Sequence, residues 1–451
     1  MMAMTRTMRP IVVALLAIGL LAACATAGEA APTESGTGPA EATCPDGLPT
    51  LTACYRGRSE EGAFYWIAIP AGWNGTLVVH AHGGPRTQPP AQDDPIEDLQ
   101  RFAVTVREGY AWAGSTYRRG GYGVRMAAED TDVLRTIFRD RFGKPRRTFL
   151  HGQSWGGNVA AKAAELYAIA ADGSNNYDGV MLTAGVTSGG TRAYAFRADL
   201  RAVYQFYCRN HPRPDERQYP AWQGLPADET MTRAELSARV DACTGVGLKA
   251  SERTPRQASN LRNILGVTGI DEQQLVAHMA WATILFQDIV HRRLGGLNPF
   301  SNAGVDYAGS DDDVALNAGV ERFSADPMAV ARLSYDADLS GMIVVPTVTI
   351  HAKYDPTVFV SVDHVYRQTV AAAGRSDLLV QTFTDESEHS KLSNSEYAAL
   401  LESLSIWIDT SKRPSPDDIA TQCEQYVMRY EEPCLFDADF VPPATGASVN
   451  P

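Results

Sequence analysis

The feature that most constrains this 451-residue chain is a serine held between glycines, where an apolar run meets a helical run. Gly152, Ser154 and Gly156 belong to a G-x-S-x-G pentapeptide. It follows the apolar run Thr148 to His151 and precedes the alanine-rich stretch Asn158 to Ala171, which favours a helix. A strand that turns sharply into a helix needs glycine where a side chain would strike a neighbouring element. The pattern therefore predicts a strand–turn–helix unit with Ser154 at the turn, the layout of a nucleophile elbow.

Strand and helix signals alternate along the chain on both sides of this unit. Strand-like runs cover Phe64 to Pro70, Thr76 to His82, Tyr110 to Tyr117, Tyr177 to Gly185, Ile343 to His351 and Leu378 to Thr384. Helical patterns cover Asp94 to Glu108 and Ala127 to Phe142. This alternation predicts an α/β fold, a mostly parallel sheet with helices on both faces.

Over roughly Tyr65 to Asp409 the chain resembles the α/β-hydrolase superfamily, because the serine turn is followed by an acid and a histidine in the order that the superfamily uses. The resemblance implies that Ser154 is a nucleophile and that each of the three groups follows a strand. Asp355 is the implied acid. His389, in a polar loop after the last strand-like run, is the implied base, which takes the proton from Ser154 while Asp355 orients its ring.

Alternatives to the acid and to the base remain open. Asp363 is the fallback acid, because Ala352 stands where many members of the superfamily have glycine. His364 and His351 are weaker rivals to His389. The first lies inside a helical stretch and the second within a strand, where a histidine more often packs or faces solvent than acts as a base.

A glycine pair upstream resembles the H-G-G-type loop of the same superfamily. Gly83 and Gly84 follow the run Thr76 to His82 and precede Pro85. The resemblance implies an oxyanion hole made by one backbone N–H of this loop and by the N–H of Trp155. Pro85 has no N–H, so Gly84 is the expected donor and Gly83 the alternative.

Two pairs of side chains near this edge are candidates for ligand binding. His80 and His82 would face the same side of a strand, but no third metal ligand is apparent nearby, so neither a metal nor a cofactor is expected. Arg118 and Arg119 follow a strand at the edge where open α/β sheets bind ligands, and could hold a substrate carboxylate. Ordinary salt bridges in a solvated loop are the competing interpretation.

The long stretch from Thr191 to about Leu339 carries helical periodicity and few alternating strand patterns. In the superfamily that the chain resembles, such a block between the sixth and seventh strands is a cap domain that shapes the pocket. The predicted organisation is a signal peptide at 1–23, a lipidated cysteine and tether at 24–43, the α/β-hydrolase core at 44–190 and 341–410, a helical cap at 191–340 and a carboxyl-terminal appendage at 411–451.

The amino terminus predicts export. Arg6 and Arg9 precede the apolar run Ile11 to Ala23, which is too short to span a bilayer and is typical of a signal-peptide core. Leu21 to Cys24 resembles the lipobox of bacterial lipoproteins, in which Cys24 would be acylated. A plain signal peptide with a stray cysteine is the alternative. We therefore expect a lipid anchor at the outer membrane or cell surface, or otherwise a periplasmic or secreted protein.

The cysteine count agrees with this location. Acylation of Cys24 would leave six of the seven cysteines in a compartment that permits disulfides. The absence of C-x-x-C spacing argues against zinc. We predict three local pairs: Cys44 with Cys54, Cys208 with Cys243, and Cys423 with Cys434.

Composition and motifs together define the expected function. The net charge of −13 argues against nucleic acid as a partner, and no obligate protein partner is evident. The resemblance implies hydrolysis of a small or polymeric carboxylic ester through an acyl-enzyme. The runner-up is a serine peptidase, because H-G-G-P and G-x-S-W-G-G also resemble proline-specific aminopeptidases; Asp311, Asp312, Asp313 and Glu321 could then hold a substrate ammonium. A surface-anchored binding protein that lost the chemistry is the remote alternative.

Overall fold

The computed structural model describes residues 38–389 and 391–444, which form a nine-stranded sheet with helices packed against it. The strands are β1 (Ala40–Ala42), β2 (Ala53–Arg58), β3 (Phe64–Ile69), β4 (Thr76–Ala81), β5 (Ala111–Ser115), β6 (Arg147–Gln153), β7 (Gly179–Thr183), β8 (Thr347–Ala352) and β9 (Leu379–Thr384). The helices are α1 (Pro95–Arg101), α2 (Ala103–Arg107), α3 (Val124–Phe142), α4 (Trp155–Tyr167), α5 (Ala195–Cys208), α6 (Arg233–Thr244), α7 (Pro255–Thr268), α8 (Leu275–Ala280), α9 (Asp313–Gly319), α10 (Pro327–Ala337), α11 (Ser361–Ala372), α12 (Asn394–Thr410) and α13 (Pro416–Tyr430). The predicted signal peptide and lipobox lie outside the described residues.

The sheet is antiparallel at one end and parallel over the rest. Its strand order is β1-β2-β3-β5-β4-β6-β7-β8-β9, and all pairs from β5 to β9 are parallel. The order reverses at β4, whose neighbours are β5 on one side and β6 on the other, and such a switch point opens a crevice at the carboxyl ends of the strands. This mostly parallel sheet with its helices is the predicted α/β-hydrolase fold.

Alternation along the strands builds an apolar core on each face. Leu77 and Val79 of β4 belong to a cluster with α3 and α4, whereas Val78 between them belongs to a cluster with α12 and α13. Leu150 and Phe149 of β6 divide in the same way. Because successive side chains of a strand point to opposite faces, each strand supplies both cores and is buried on both sides.

Several elements differ in detail from those predicted from sequence. The helix predicted at Asp94 to Glu108 is broken at Phe102, which separates α1 from α2. The strand predicted from Ile343 begins at Thr347, directly after Pro346, which has no N–H for a strand ladder. The stretch predicted as helical, from Thr191 to about Leu339, contains π-helical turns at Trp281–Leu285 and Asp288–Arg293.

Between β7 and β8 the chain forms helices α5 to α10 and no strand. We call residues 191–340 the helical insertion. It meets the sheet-covering helices through polar contacts, because Asn158 of α4 donates to the Ala337 carbonyl and the Val124 N–H of α3 donates to Asp336. These contacts fix one end of the insertion beside the elbow helix.

The structure brings the six cysteines other than Cys24 together in the three predicted pairs. The Cα atoms are 5.2 Å apart in Cys44–Cys54, 5.6 Å in Cys208–Cys243 and 6.0 Å in Cys423–Cys434. The second pair joins α5 to α6 within the insertion. Among the helices of the described residues, none has the length and apolarity needed to cross a membrane.

Candidate active site

Ser154 stands on a sharp turn between β6 and α4. Its φ of 58° is a conformation that non-glycine residues seldom adopt, as expected for a nucleophile elbow. The flanking glycines are required by space. A Cβ atom at Gly156 would overlap the carbonyl oxygen of Ala81, and one at Gly152 would overlap the carbonyl oxygen of Gly156. The turn therefore packs against β4 so closely that only glycine fits on either side of the serine.

Three of the residues selected from sequence lie in one hydrogen-bonded series. Ser154 Oγ is 2.9 Å from His389 Nε2, and His389 Nδ1 is 2.7 Å from Asp355 Oδ2. Ser154 follows β6, Asp355 follows β8 and His389 follows β9, so the carboxyl ends of three parallel strands bring them together. Two of the alternatives have other partners. The rival base His364 contacts Gln368 on α11, and the fallback acid Asp363 contacts His351.

Asp355 is held as a carboxylate. Its Oδ1 accepts hydrogen bonds from the backbone N–H groups of Thr357 at 2.8 Å and Val358 at 3.0 Å. Burial alone would raise the pKa of Asp355, but the hydrogen bonds with His351 and His389 outweigh burial and bring the pKa far below its usual value. An ionised acid in this position fixes the His389 ring with its proton on Nδ1.

A second histidine lies behind the acid. His351 is fully buried, with Nδ1 2.5 Å from Asp363 Oδ2, and with Nε2 2.8 Å from the Val358 carbonyl and 3.3 Å from Asp355 Oδ2. A carbonyl can only accept, so Nε2 carries a proton, and an ionised Asp363 requires one on Nδ1. Burial would lower the pKa of His351, but the charge of Asp363 and the hydrogen bonds with both aspartates raise it to about 10. His351 is therefore an imidazolium at neutral pH.

From the sequence alone, His351 is only a weak rival base. The available signal was the spacing His351-x-x-x-Asp355 across the end of a strand, with Asp363 beyond it. Strand and loop bring His351 against both carboxylates, which a linear pattern does not reveal.

The glycine loop after β4 lies beside the serine. Gly84 has a φ of +64°, in the left-handed region that glycine tolerates. The hydroxyl of Tyr117 donates to the His82 carbonyl at 3.0 Å and so holds the start of the loop. Trp155 opens α4, and the first N–H groups of a helix have no acceptor within it. Gly83, Gly84 and Trp155 all line pockets that contain Ser154.

The histidines considered as metal ligands lie instead in a buried cluster with His151 and Asp98. His80 Nδ1 lies 3.0 Å from His151 Nδ1, and His82 pairs with Asp98. Burial lowers the pKa of both His80 and His151. Within the part of the chain that the structure describes, no group of histidines, cysteines and acids is arranged to hold a metal ion.

Two pockets meet at Ser154. They share Gly84, Ser154, Trp281 and Thr357, but only one of them contains His389. The other is mostly apolar, and its wall includes Trp155, Val186, Tyr194, Phe196, Leu285, Val358, Phe359, Arg192 and Arg197. Trp281 and Leu285 belong to a π-helical turn, a feature that often accompanies functional sites. We call the pocket without His389 the inner pocket.

The arginines selected from sequence are not those of the inner pocket. Arg118 pairs with Asp130 at 2.5 Å and with Glu129 at 3.0 Å, as the salt-bridge interpretation had it. Arg119 Nη1 donates to the carbonyls of Gly120 and Tyr122, and its side chain lines grooves whose walls do not include Ser154. Arg192 and Arg197 carry no motif in the sequence, and only the tertiary packing of α5 and of the segment before it places them in the wall of a pocket that Ser154 also lines.

Comparisons with known proteins give distant likenesses. No family model matches the chain. An o-phthalyl amidase of Xanthobacter agilis is 26% identical over 117 residues, which are 25% of this chain and 24% of the amidase. An esterase from Aspergillus oryzae is 14% identical, covers 84% of this chain and 86% of its own, and has a TM-score of 0.46. Feruloyl esterase B from the same organism is 12% identical, with coverages of 81% and 82% and a TM-score of 0.44.

Proposed function

We propose that this protein is a serine hydrolase that cleaves carboxylic esters through an acyl-enzyme intermediate. The observation that carries the proposal is the continuous hydrogen-bonded series from Ser154 through His389 to Asp355, placed where the sheet opens. A serine hydroxyl is a weak nucleophile at neutral pH and needs a base within hydrogen-bond reach. His389 meets that requirement at 2.9 Å.

The reaction then proceeds in two halves. Ser154 Oγ attacks the ester carbonyl while His389 Nε2 takes its proton, and Asp355 stabilises the imidazolium that forms. The backbone N–H groups of Gly84 and Trp155 bind the developing oxyanion. The intermediate collapses as His389 gives the proton to the leaving alcohol. Water, activated by His389, attacks the acyl-serine and releases the acid.

Amide hydrolysis is the second candidate, favoured by the local sequence match to a protein named as an amidase. An aminopeptidase-like enzyme finds less support, because the acids considered for an ammonium site have other contacts. Asp311 pairs with Arg262, Asp313 accepts from Ser310, and Glu321 accepts from the N–H of Ala221. Neither these nor Asp312 lines either pocket at Ser154.

We also propose that the protein is exported and anchored to a membrane surface by acylated Cys24, that the helical insertion acts as a cap and that residues 411–451 form an appendage. Three disulfide pairs fit an oxidising compartment outside the cytoplasm. No cofactor, nucleic acid or obligate protein partner enters the proposal. Metabolic labelling with a palmitate analogue, comparing the full chain with its Cys24→Ser variant, tests the anchor.

The test of the chemistry is labelling with a fluorophosphonate probe, which reacts with activated serines. The protein without the residues up to Cys24 should be labelled, and Ser154→Ala and His389→Ala should abolish the label. Ser174→Ala, a change at an exposed serine that bonds Asp172, is the matched control and should keep it. Peptide mass spectrometry should place the probe on Ser154.

The labelling result distinguishes the candidate functions. A folded parent that takes no label contradicts the hydrolase proposal and favours a binding protein. A labelled parent is next given ester and amide substrates with the same acyl group. Faster turnover of the ester, relative to the uncatalysed rates, supports an esterase, and the reverse supports an amidase.

A further inference from the structure

Arg197 is a buried cation in the wall of the inner pocket. Its side chain comes from α5, and the residue is only 5% exposed. Its Nε donates to His278 Nδ1 at 3.2 Å, its Nη1 to the Ala193 carbonyl at 3.4 Å and its Nη2 to the Thr357 carbonyl at 3.2 Å. A guanidinium has five N–H groups, so these three acceptors leave one on each Nη atom.

None of these acceptors carries a negative charge. His278 accepts through Nδ1, so its own proton lies on Nε2, which donates to the Pro356 carbonyl at 2.9 Å. Burial and the charge of Arg197 lower the pKa of His278 to about 3, so this ring is neutral. Burial lowers the pKa of Arg197 to about 10, which still leaves it protonated at neutral pH. Across residues 38–389 and 391–444, no carboxylate forms an ion pair with Arg197.

An uncompensated buried charge is uncommon, because the desolvation of an ion is costly unless a counter-ion offsets it. Aromatic rings offset part of the cost: the Arg197 Cζ lies 4.4 Å from the ring centre of Phe196, 4.7 Å from that of Trp281 and 5.3 Å from that of Tyr194. The rings also fix the guanidinium in one orientation. They hold a cation in place without neutralising it.

A second arginine adds to the positive charge of this pocket. Arg192 is exposed, lines the same pocket, and has no ion-pair partner in the described part of the chain. No aspartate or glutamate lines the inner pocket, although the chain as a whole has a net charge of −13. The inner pocket is therefore a cationic site in an acidic protein, next to Ser154.

The two pockets at Ser154 receive different parts of a substrate. The leaving alcohol needs a proton from His389, so it belongs in the pocket that His389 lines. The inner pocket lacks His389 and then receives the acyl part. A carboxylate at the far end of that acyl part would supply the missing counter-ion and could accept from one N–H on each Nη of Arg197.

We infer that Arg197, supported by Arg192, binds a carboxylate on the acyl part of the substrate, so that the preferred substrates are monoesters of dicarboxylic acids. This inference rests on the proposed hydrolase function. The ester bond is broken as described above, and the second carboxylate takes no part in the bond changes.

The test compares two esters that differ only at the far end of the acyl chain. Monoethyl adipate carries a carboxylate where ethyl 6-methylheptanoate carries a neutral isopropyl group. We expect the parent to favour the charged ester in kcat/KM by about tenfold to a hundredfold, the range that a charge-assisted hydrogen bond supplies. Arg197→Met should abolish the preference, Arg197→Lys should keep part of it, and Arg192→Met should reduce it less. Arg217→Met, at a surface ion pair with Asp228, is the matched control.

A merely structural role for Arg197 would lower kcat/KM for both esters by the same factor, and that result would overturn the inference. So would a parent without preference for the charged ester. 4-Acetoxybenzoate carries its free carboxylate on the leaving phenol, and 4-isopropylphenyl acetate is its uncharged counterpart. A preference confined to that pair would overturn the acyl assignment.

A binding measurement keeps this inference separate from the proposed chemistry. Monoethyl adipate is titrated calorimetrically into Ser154→Ala and into Ser154→Ala/Arg197→Met. Binding to the first that weakens at least tenfold in the second supports the carboxylate site even if the parent takes no fluorophosphonate label. Equal binding to both proteins, or none to either, refutes the site.

Discussion

The charge on His351 leads to a specific prediction about stability. His351 lies between Asp355 and Asp363, with no exposure to solvent. Replacing it by glutamine keeps a polar group of similar length but removes the cation. The buried carboxylates of Asp355 and Asp363 then lose a positive charge that they contact, and Asp355 is the acid that holds His389.

The magnitude follows from the burial of the ion pair. The charge of Asp363 and the hydrogen bonds with both aspartates raise the pKa of His351 from 6.5 to about 10, so the folded protein favours its charged form. Breaking a buried ion pair costs about 3–5 kcal/mol, so we expect His351→Gln to lower the free energy of unfolding by that amount. The folded pKa lies above the unfolded one. The stabilisation is therefore complete below about pH 6.5 and disappears as the pH rises through about 10.

The assay is urea unfolding followed by tryptophan fluorescence at about pH 6, 8 and 10, for the parent and for His351→Gln. The difference in the free energy of unfolding should be largest at the lowest pH and shrink towards the highest. His364→Gln, at the histidine of α11, is the matched control. Its free energy of unfolding should differ little from that of the parent at any of the three pH values. If the difference for His351→Gln is the same at every pH, His351 is neutral in the folded protein and the reasoning fails.

Three further predictions concern the site and its supports. Asp355→Asn should lower kcat for the preferred ester by about 10³- to 10⁴-fold with a smaller change in KM, because His389 loses the tautomer it needs; equal kcat values would contradict this role. Gly156→Ala should fail to fold or unfold at a clearly lower temperature than Gly72→Ala, because its Cβ meets the Ala81 carbonyl while Gly72 has open space. Removing Cys208–Cys243 with a double alanine change should cost about 2–4 kcal/mol of unfolding free energy for a loop of 35 residues, and a loss below about 0.5 kcal/mol would refute that estimate.

The features that the sequence predicts correctly are those set by residues close together in the chain. The glycines around Ser154 are dictated by a turn of a few residues, and the strands that precede Asp355 and His389 have their own apolar patterns. These features depend on neighbours in sequence, so the fold class and the hydrogen-bonded series could be anticipated. The break at Phe102 and the late start of β8 depend on packing against other elements, and they could not.

The charged residues near Ser154, His351 and Arg197, also depend on packing between elements that are distant in the chain. Arg197 reaches the inner pocket because α5 packs against the loop after β8, more than 150 residues later in the chain. His351 acquires its charge from Asp363, which α11 brings back to the strand end. Both effects are electrostatic and tertiary, and an arginine or histidine in a one-dimensional pattern does not reveal its partners.

The order of the cysteines in the chain has a consequence for how the protein matures. Each disulfide joins two cysteines that are consecutive after Cys24, at separations of 10, 35 and 11 residues. A chain oxidised as it emerges amino terminus first would therefore meet each correct partner next, over a short loop that closes at low entropic cost. The exception is Cys24 itself, which emerges before Cys44 and could capture it. Acylation of Cys24 would remove that competitor, so a lipid anchor would also act as a safeguard of correct oxidation.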